Sequence, residues 1–197
     1  EEAVSPMIVS ETADSPEYPA LEAEANIPVI TSEGKSNVKI AGVKSKNKLV
    51  RYTIPETLLR ADENFLALMV EAEKYIGYPY VYGGSKPSTG FDCSGFVCWV
   101  FRESGVYDTG RLGAKGLYSL CTDVSRDEAR PGDLVFFTKT MGADVKGITH
   151  VGIYVGNDMM LHAGDPVGFA DLQSDKWAKK IYAFGRLPIQ QGAQANE

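Results

Sequence analysis

At Pro131-Gly132 the hydrophobic pattern of this chain changes period. Upstream, Phe65, Leu68, Met69, Ala72 and Ile76 recur at the spacing of one helical face, with Asp62 as N-cap and Gly77 as the stop. After a Gly/Pro-rich loop over 78–90 comes a second apolar face, Cys93, Phe96, Val97, Val100 and Phe101, closed by Gly105. A shorter helix fits Ala114–Leu120. Downstream, residues 134–137, 148–155, 159–163 and 181–187 are apolar runs separated by turn residues, which predicts strands. Helices first and strands afterwards imply an α+β domain, with the helices packed on one side of an antiparallel sheet. A length of 197 residues with 44% apolar content suits one such core and not two large ones.

The chain before Asp62 reads differently. Residues 1–33 are acidic, contain Pro6, Pro16, Pro19 and Pro28, and carry no Lys or Arg. Such a segment buries too little apolar surface to offset its ordering entropy, which predicts a linker. Residues 34–61 reverse the charge, with Lys35, Lys39, Lys44, Lys46, Lys48, Arg51 and Arg60 against Glu56 alone. They predict a basic connector, either solvated or touching an anionic polymer or membrane surface, with one or two short strands between Val38 and Ile54. The folded domain is then expected over 62–189, followed by a tail over 190–197. A net charge of −6 and a pI near 5.1 give no basic face for nucleic acid. No run approaches the roughly 20 apolar residues needed to span a bilayer. The chain starts at Glu1 without an initiator Met, so a processed piece is expected, its targeting segment lying outside this sequence.

The chemistry concentrates on Cys93, in Gly90-Phe91-Asp92-Cys93-Ser94-Gly95. A cysteine in the first turn of a helix meets unsatisfied N–H groups and the positive end of the helix dipole, which favour the nucleophilic thiolate. The same N–H groups can hold a developing oxyanion. Gly90 and Gly95 leave room for close backbone approach by a ligand, whereas Asp92 can cap the helix yet its charge beside Cys93 opposes thiolate formation. A buried, inert cysteine is the structural alternative. Only two histidines exist, His150 and His162, on two strands that form a hairpin around Gly156-Asn157. A two-residue turn there makes opposed residue numbers add to 313 and sends the imidazoles to opposite faces. A pairing centred on Gly156 makes them add to 312, and His150 then faces His162. A nucleophile–base–orienter relay needs the even sum, which predicts an odd-length loop or a bulge. A three-ligand zinc site of Cys93, His150 and His162 remains open as another use of the same residues. Cys98 lies about 140° round the helix from Cys93, and with Cys121 it reads as a buried thiol.

At these residues the chain resembles the NlpC/p60 family of cell-wall cysteine peptidases. The resemblance runs through Gly77-Tyr78-Pro79-Tyr80-Val81-Tyr82-Gly83-Gly84, Phe91-Asp92-Cys93-Ser94-Gly95-Phe96, Arg130-Pro131-Gly132-Asp133-Leu134-Val135-Phe136-Phe137, His150-Val151-Gly152-Ile153-Tyr154-Val155-Gly156 and His162-Ala163. It implies a papain-like α+β core, with Cys93 as nucleophile, His150 as base and His162 as orienter of the base. Tyr80 matches a family tyrosine near the nucleophile that binds substrate or the oxyanion, and Asp92 and Ser94 match positions lining the substrate groove. The implied substrate is the peptide of bacterial peptidoglycan, cut between D-γ-glutamyl and the following diamino acid, outside the cytoplasm and with no cofactor or metal. An amidase or acyltransferase using the same three residues, or a silent wall-binding domain, are the competing functions. Family members often carry Pro-Arg-Thr or Pro-Arg-Ser after the catalytic helix; here the piece is Thr109-Gly110-Arg111-Leu112-Gly113, so Arg111 departs from that pattern.

Overall fold

The computed structural model describes residues 26–189, and the expected linker up to residue 25 and tail over 190–197 lie outside the described residues. The basic segment folds onto the domain. A hairpin of β1 (Lys39–Ile40) and β2 (Val43–Lys44) turns through Ala41 and Gly42, both at positive φ. The Ser32 hydroxyl donates to the Val50 carbonyl at 2.7 Å and accepts from the Tyr52 N–H at 2.9 Å, which straps residues 30–32 to 50–54. A short helix, α1 (Glu56–Arg60), follows.

These bonds serve a hydrophobic purpose. Ile30, Ile54 and Leu59 are 0%, 2% and 1% exposed and belong to the same core as Phe65 and Phe96. Packing therefore reaches about thirty residues further toward the N terminus than the expected start near Asp62. In the sequence these apolar residues stand singly, on either side of a polar, lysine-rich run, and so show no period. Ile54→Ala is expected to cost about 2–5 kcal/mol, as for other buried isoleucines, and urea denaturation of the variant measures it.

Asp62 caps α2 (Glu63–Glu73), its carboxylate accepting from the Phe65 N–H at 2.9 Å. The helix buries Phe65, Leu68, Met69 and Ala72, and the chain leaves it through Gly77 at φ +96. A small hairpin of β3 (Ser85–Lys86) and β4 (Gly90–Phe91) leads into α3 (Cys93–Glu103), which runs through the core, and α4 (Ala114–Leu120) follows. The strands are β5 (Thr122–Val124), β6 (Leu134–Thr138), β7 (Ile148–Gly156), β8 (Met159–Ala163), β9 (Val167–Asp171) and β10 (Ile181–Arg186). They form one antiparallel sheet in the order β5-β10-β6-β7-β8-β9. Alternation divides its side chains. Leu134, Phe136, Val151, Ile153 and Leu161 face the helices. Val135, Phe137, Met160 and Phe184 face the other way and meet Leu172 and Trp177 from the β9–β10 connection.

This is the α+β arrangement that the element order implied. Two strands of this sheet were not expected, nor was the β3–β4 hairpin in the stretch read as a loop. β9 is broken by Gly168, and β5 is a mostly exposed edge of Thr122, Asp123 and Val124, so neither has a clear apolar alternation.

Candidate active site

Asp92 decides where the third helix begins. Its Oδ1 accepts from the Gly95 N–H at 2.6 Å, which satisfies one of the free N–H groups of the first turn and leaves Cys93 as the first helical residue. Its Oδ2 accepts from the Gly83 N–H at 3.1 Å, tying the loop to the helix. A Cβ on Gly95 would collide with the carbonyl oxygen of Gly84, and Gly90 sits at φ +79 with Val81 and Pro79 against it. The room these glycines make is thus filled by the chain's own loop, not by a ligand, which corrects the sequence expectation.

Cys93 is 8% exposed. Burial first, and the Asp92 charge second, push its thiol up, while the backbone N–H groups of Val151, Ser94 and Cys93 itself pull it partly back. Burial therefore outweighs the helix start, and the resting group is a thiol. The sulfur lies against the N–H of Val151, the residue next to His150. Tyr80 is placed beside it by a bridge to Phe91. Its hydroxyl faces the backbone N–H of Cys93 and is pushed up to about 12, mainly by burial and then by Cys93 and Asp92.

The histidines are brought together by a register device. Asn157 and Asp158 both take left-handed φ, 51° and 56°, as a two-residue type I′ turn demands. Gly156 pairs with Met159, so the turn alone sets an odd sum of 315 and would send His150 and His162 to opposite faces. A bulge between Tyr154 and Gly156 shifts the register by one, and Tyr154 pairs with Met160 and Ile153 with Leu161 at a sum of 314. The parity and the bulge agree with expectation. The sum of 312 does not: His162 lies opposite Gly152, whose ideal Cβ position is 3.1 Å from the His162 Cβ, and His150 is one pair further along on the same face. The imidazoles meet diagonally across the vacancy at Gly152, His150 Nε2 to His162 Nδ1 at 2.8 Å.

Trp177 closes this pair, and sequence reasoning missed it. Its ring stacks on His150 with centroids 5.2 Å apart at 26°, and meets His162 edge-on at 5.1 Å. Phe137 lies on another side of His150 at 5.7 Å. The available signal was weak: one of two tryptophans, in the polar stretch Gln173-Ser174-Asp175-Lys176-Trp177. Burial, followed by the Lys176 charge, lowers the His150 pKa to about 3. His162 is held well below its usual value by burial, then by His150 and Lys176. Both imidazoles are neutral at neutral pH.

Arg111 enters the site although its surroundings depart from the family pattern. Its guanidinium donates to the Ser94 hydroxyl at 3.0 Å and to both Asp92 oxygens at 3.2 and 3.1 Å. The Asp92 carboxylate is therefore shared among a helix cap, a loop and a guanidinium. Cys98 is buried with its sulfur 3.5 Å from the Leu112 carbonyl, and Cys121 is half-buried, its thiol pushed up to about 12 chiefly by burial. Among the described residues no cluster of three or more His, Cys, Asp or Glu is placed to hold a metal ion.

Comparison with known proteins joins this geometry to a lineage. The bifunctional muramidase/DL-endopeptidase CwlT of Bacillus subtilis is 46% identical over 121 residues, 61% of this chain and 36% of CwlT. The gamma-DL-glutamyl hydrolase of the same organism is 40% identical over 120 residues, covering 59% of this chain and 28% of that protein. The chain thus spans about a third or less of the length of these relatives. Among solved structures, a lipoprotein-like NLP/P60 protein of Staphylococcus aureus superposes with a TM-score of 0.61 at 41% identity, covering 66% of this chain and 43% of that one. The NlpC/p60 domain of the peptidoglycan hydrolase SagA gives 0.52 at 32% identity, over 62% of this chain and 98% of that domain. The NlpC/P60 family model matches residues 77–186, which take in the capped cysteine helix and both histidine strands, and the chain belongs to that family.

Proposed function

We propose that this chain is a cysteine peptidase that hydrolyses the stem peptides of bacterial peptidoglycan, outside the cytoplasm, at the bond between D-γ-glutamyl and the next diamino acid. One observation carries the reading: a helix-start cysteine beside the strand of His150, which forms a buried 2.8 Å pair with His162 on the next strand. The activities for which the relatives are named, DL-endopeptidase and gamma-DL-glutamyl hydrolase, support the choice of bond.

The tautomers follow from the roles. For His150 to accept a proton at Nδ1, its Nε2 must carry a hydrogen and donate it to His162 Nδ1. His150 Nδ1 then takes the Cys93 proton as the sulfur attacks the scissile carbonyl carbon. The oxyanion is held by N–H groups at the start of α3, with the Tyr80 hydroxyl close by. The His150 imidazolium, steadied by neutral His162, protonates the leaving amine, and water attacks the thioester to release the acid and restore the thiol. Ser94 and Arg111, held against Asp92, offer donors on the same side of the helix start. Trp177 keeps water from the imidazole pair.

The test is digestion of purified peptidoglycan and defined muropeptides of the diaminopimelate and lysine types, with products identified by mass spectrometry. Products ending in γ-linked glutamate are expected. Release of alanine-terminated peptide from glycan would make the chain an amidase, and cleavage of no wall fragment, despite a reactive Cys93, would move the same chemistry to another amide or ester.

A further inference from the structure

From Gly34 to Pro55 the chain contains Lys35, Lys39, Lys44, Lys46, Lys48 and Arg51 and no Asp or Glu, within a protein of net charge −6. Charge is thus segregated onto one folded segment. Lys35 pairs with Glu73 at 3.3 Å. Among the described residues the other five form no ion pair, and all five are exposed. The β1–β2 register sets Lys39 directly opposite Lys44, a like-charge cross-strand pair that costs stability. Ser45 turns inward beside them, and the Lys46 N–H is fixed to the Asp165 carboxylate at 3.2 Å, so the cations stand on an ordered surface. The next residues, 47–50, wall a cleft of about 370 Å³ that His162 and Trp177 also line, together with Asp165 and Asp171. The basic segment therefore runs to the edge of the catalytic pair.

We propose that this segment is a docking surface for a linear phosphodiester polymer attached to peptidoglycan, a polyol phosphate chain. The inference rests on the wall reading above for its choice of polymer. Solvated lysines hold a small anion weakly, because water screens each contact. A polymer with repeating charge engages several at once and gains by releasing its counterions. The hairpin tip is Ala41-Gly42, and beside it Val43 is the hairpin's one large exposed apolar side chain, far short of the apolar face that fixes a peripheral helix or loop in a lipid interface. Docking would hold the enzyme on polymer-bearing wall with the His162 side turned toward it.

The experiment uses the full chain, so that its own acidic N-terminal stretch is present as a competitor. Binding is measured to sacculi before and after chemical removal of the phosphodiester polymer, at 50 and 200 mM salt. The expected result is at least about 10-fold weaker binding after stripping, a similar loss on raising the salt, and a similar loss in the variant K39Q/K44Q/K46Q. That variant should cleave a soluble muropeptide at the parental rate, which also reports that it folds. Equal binding to stripped and intact sacculi, or unchanged binding of the variant, overturns the proposal. So does equal or tighter binding to duplex DNA or to vesicles of anionic phospholipid. Polymer binding without cleavage of any muropeptide would leave this surface standing and remove the peptidase reading instead.

Discussion

Cys93→Ala and His150→Ala are each expected to abolish hydrolysis of a defined muropeptide, lowering kcat/KM by at least about 10³-fold, or about 4 kcal/mol of transition-state stabilisation. The magnitude follows from what is removed. Without the sulfur no thioester forms, and without His150 a thiol that burial holds protonated has no acceptor for its proton. His162→Ala should be milder, because water can take over part of an orienting bond. Cys98→Ser and Cys121→Ser, which touch neither the helix start nor the histidines, serve as controls. Undiminished turnover by Cys93→Ala, measured by chromatography of the products, would end the mechanism.

Acid should unfold this protein through its histidines. A group whose folded pKa lies below its unfolded value contributes stability that is complete above the unfolded pKa and is lost as pH falls toward the folded one. For His150 that window runs from about 6.5 down to about 3, and the loss by pH 4 is about 3 kcal/mol. His162 adds in the same direction. The Asp158 carboxyl, lowered by Arg126 and then Gln173, contributes only at still lower pH. Urea midpoints should therefore fall steeply between pH 6.5 and 4, and the fall should be visibly shallower in His150→Gln, which cannot take the proton. Identical pH profiles for the two proteins would show that the imidazoles are not buried in their neutral form. The same neutrality places the acid limb of kcat/KM well below 6.5.

The parts of the site that sequence exposed were those set by local rules. Asp92 before an apolar helical face marks a cap, and the cap puts Cys93 in the first turn whatever packs around it. The need for an even register followed from counting alone. What escaped was decided by packing at a distance. Trp177 reaches the imidazoles from a polar connection between β9 and β10, and nothing in its neighbours' composition points to that contact. Arg111 is drawn in by a carboxylate nineteen positions earlier. Ile30 and Ile54 are core residues in stretches whose charge and proline content read as linker and connector, because single buried apolar residues beside prolines and polar neighbours leave no periodic signal.

The bulge between Tyr154 and Gly156 gives the hairpin an even–odd character that limits how its length can change through descent. Losing or gaining one residue between the histidines, with the strands still paired, turns His162 onto the helix side of the sheet while leaving the apolar composition of both strands almost intact. A paired change of two residues leaves both rings on one face. Under the proposed mechanism, a change of length at this tip keeps the two imidazoles paired only in steps of two, unless a compensating bulge restores the register.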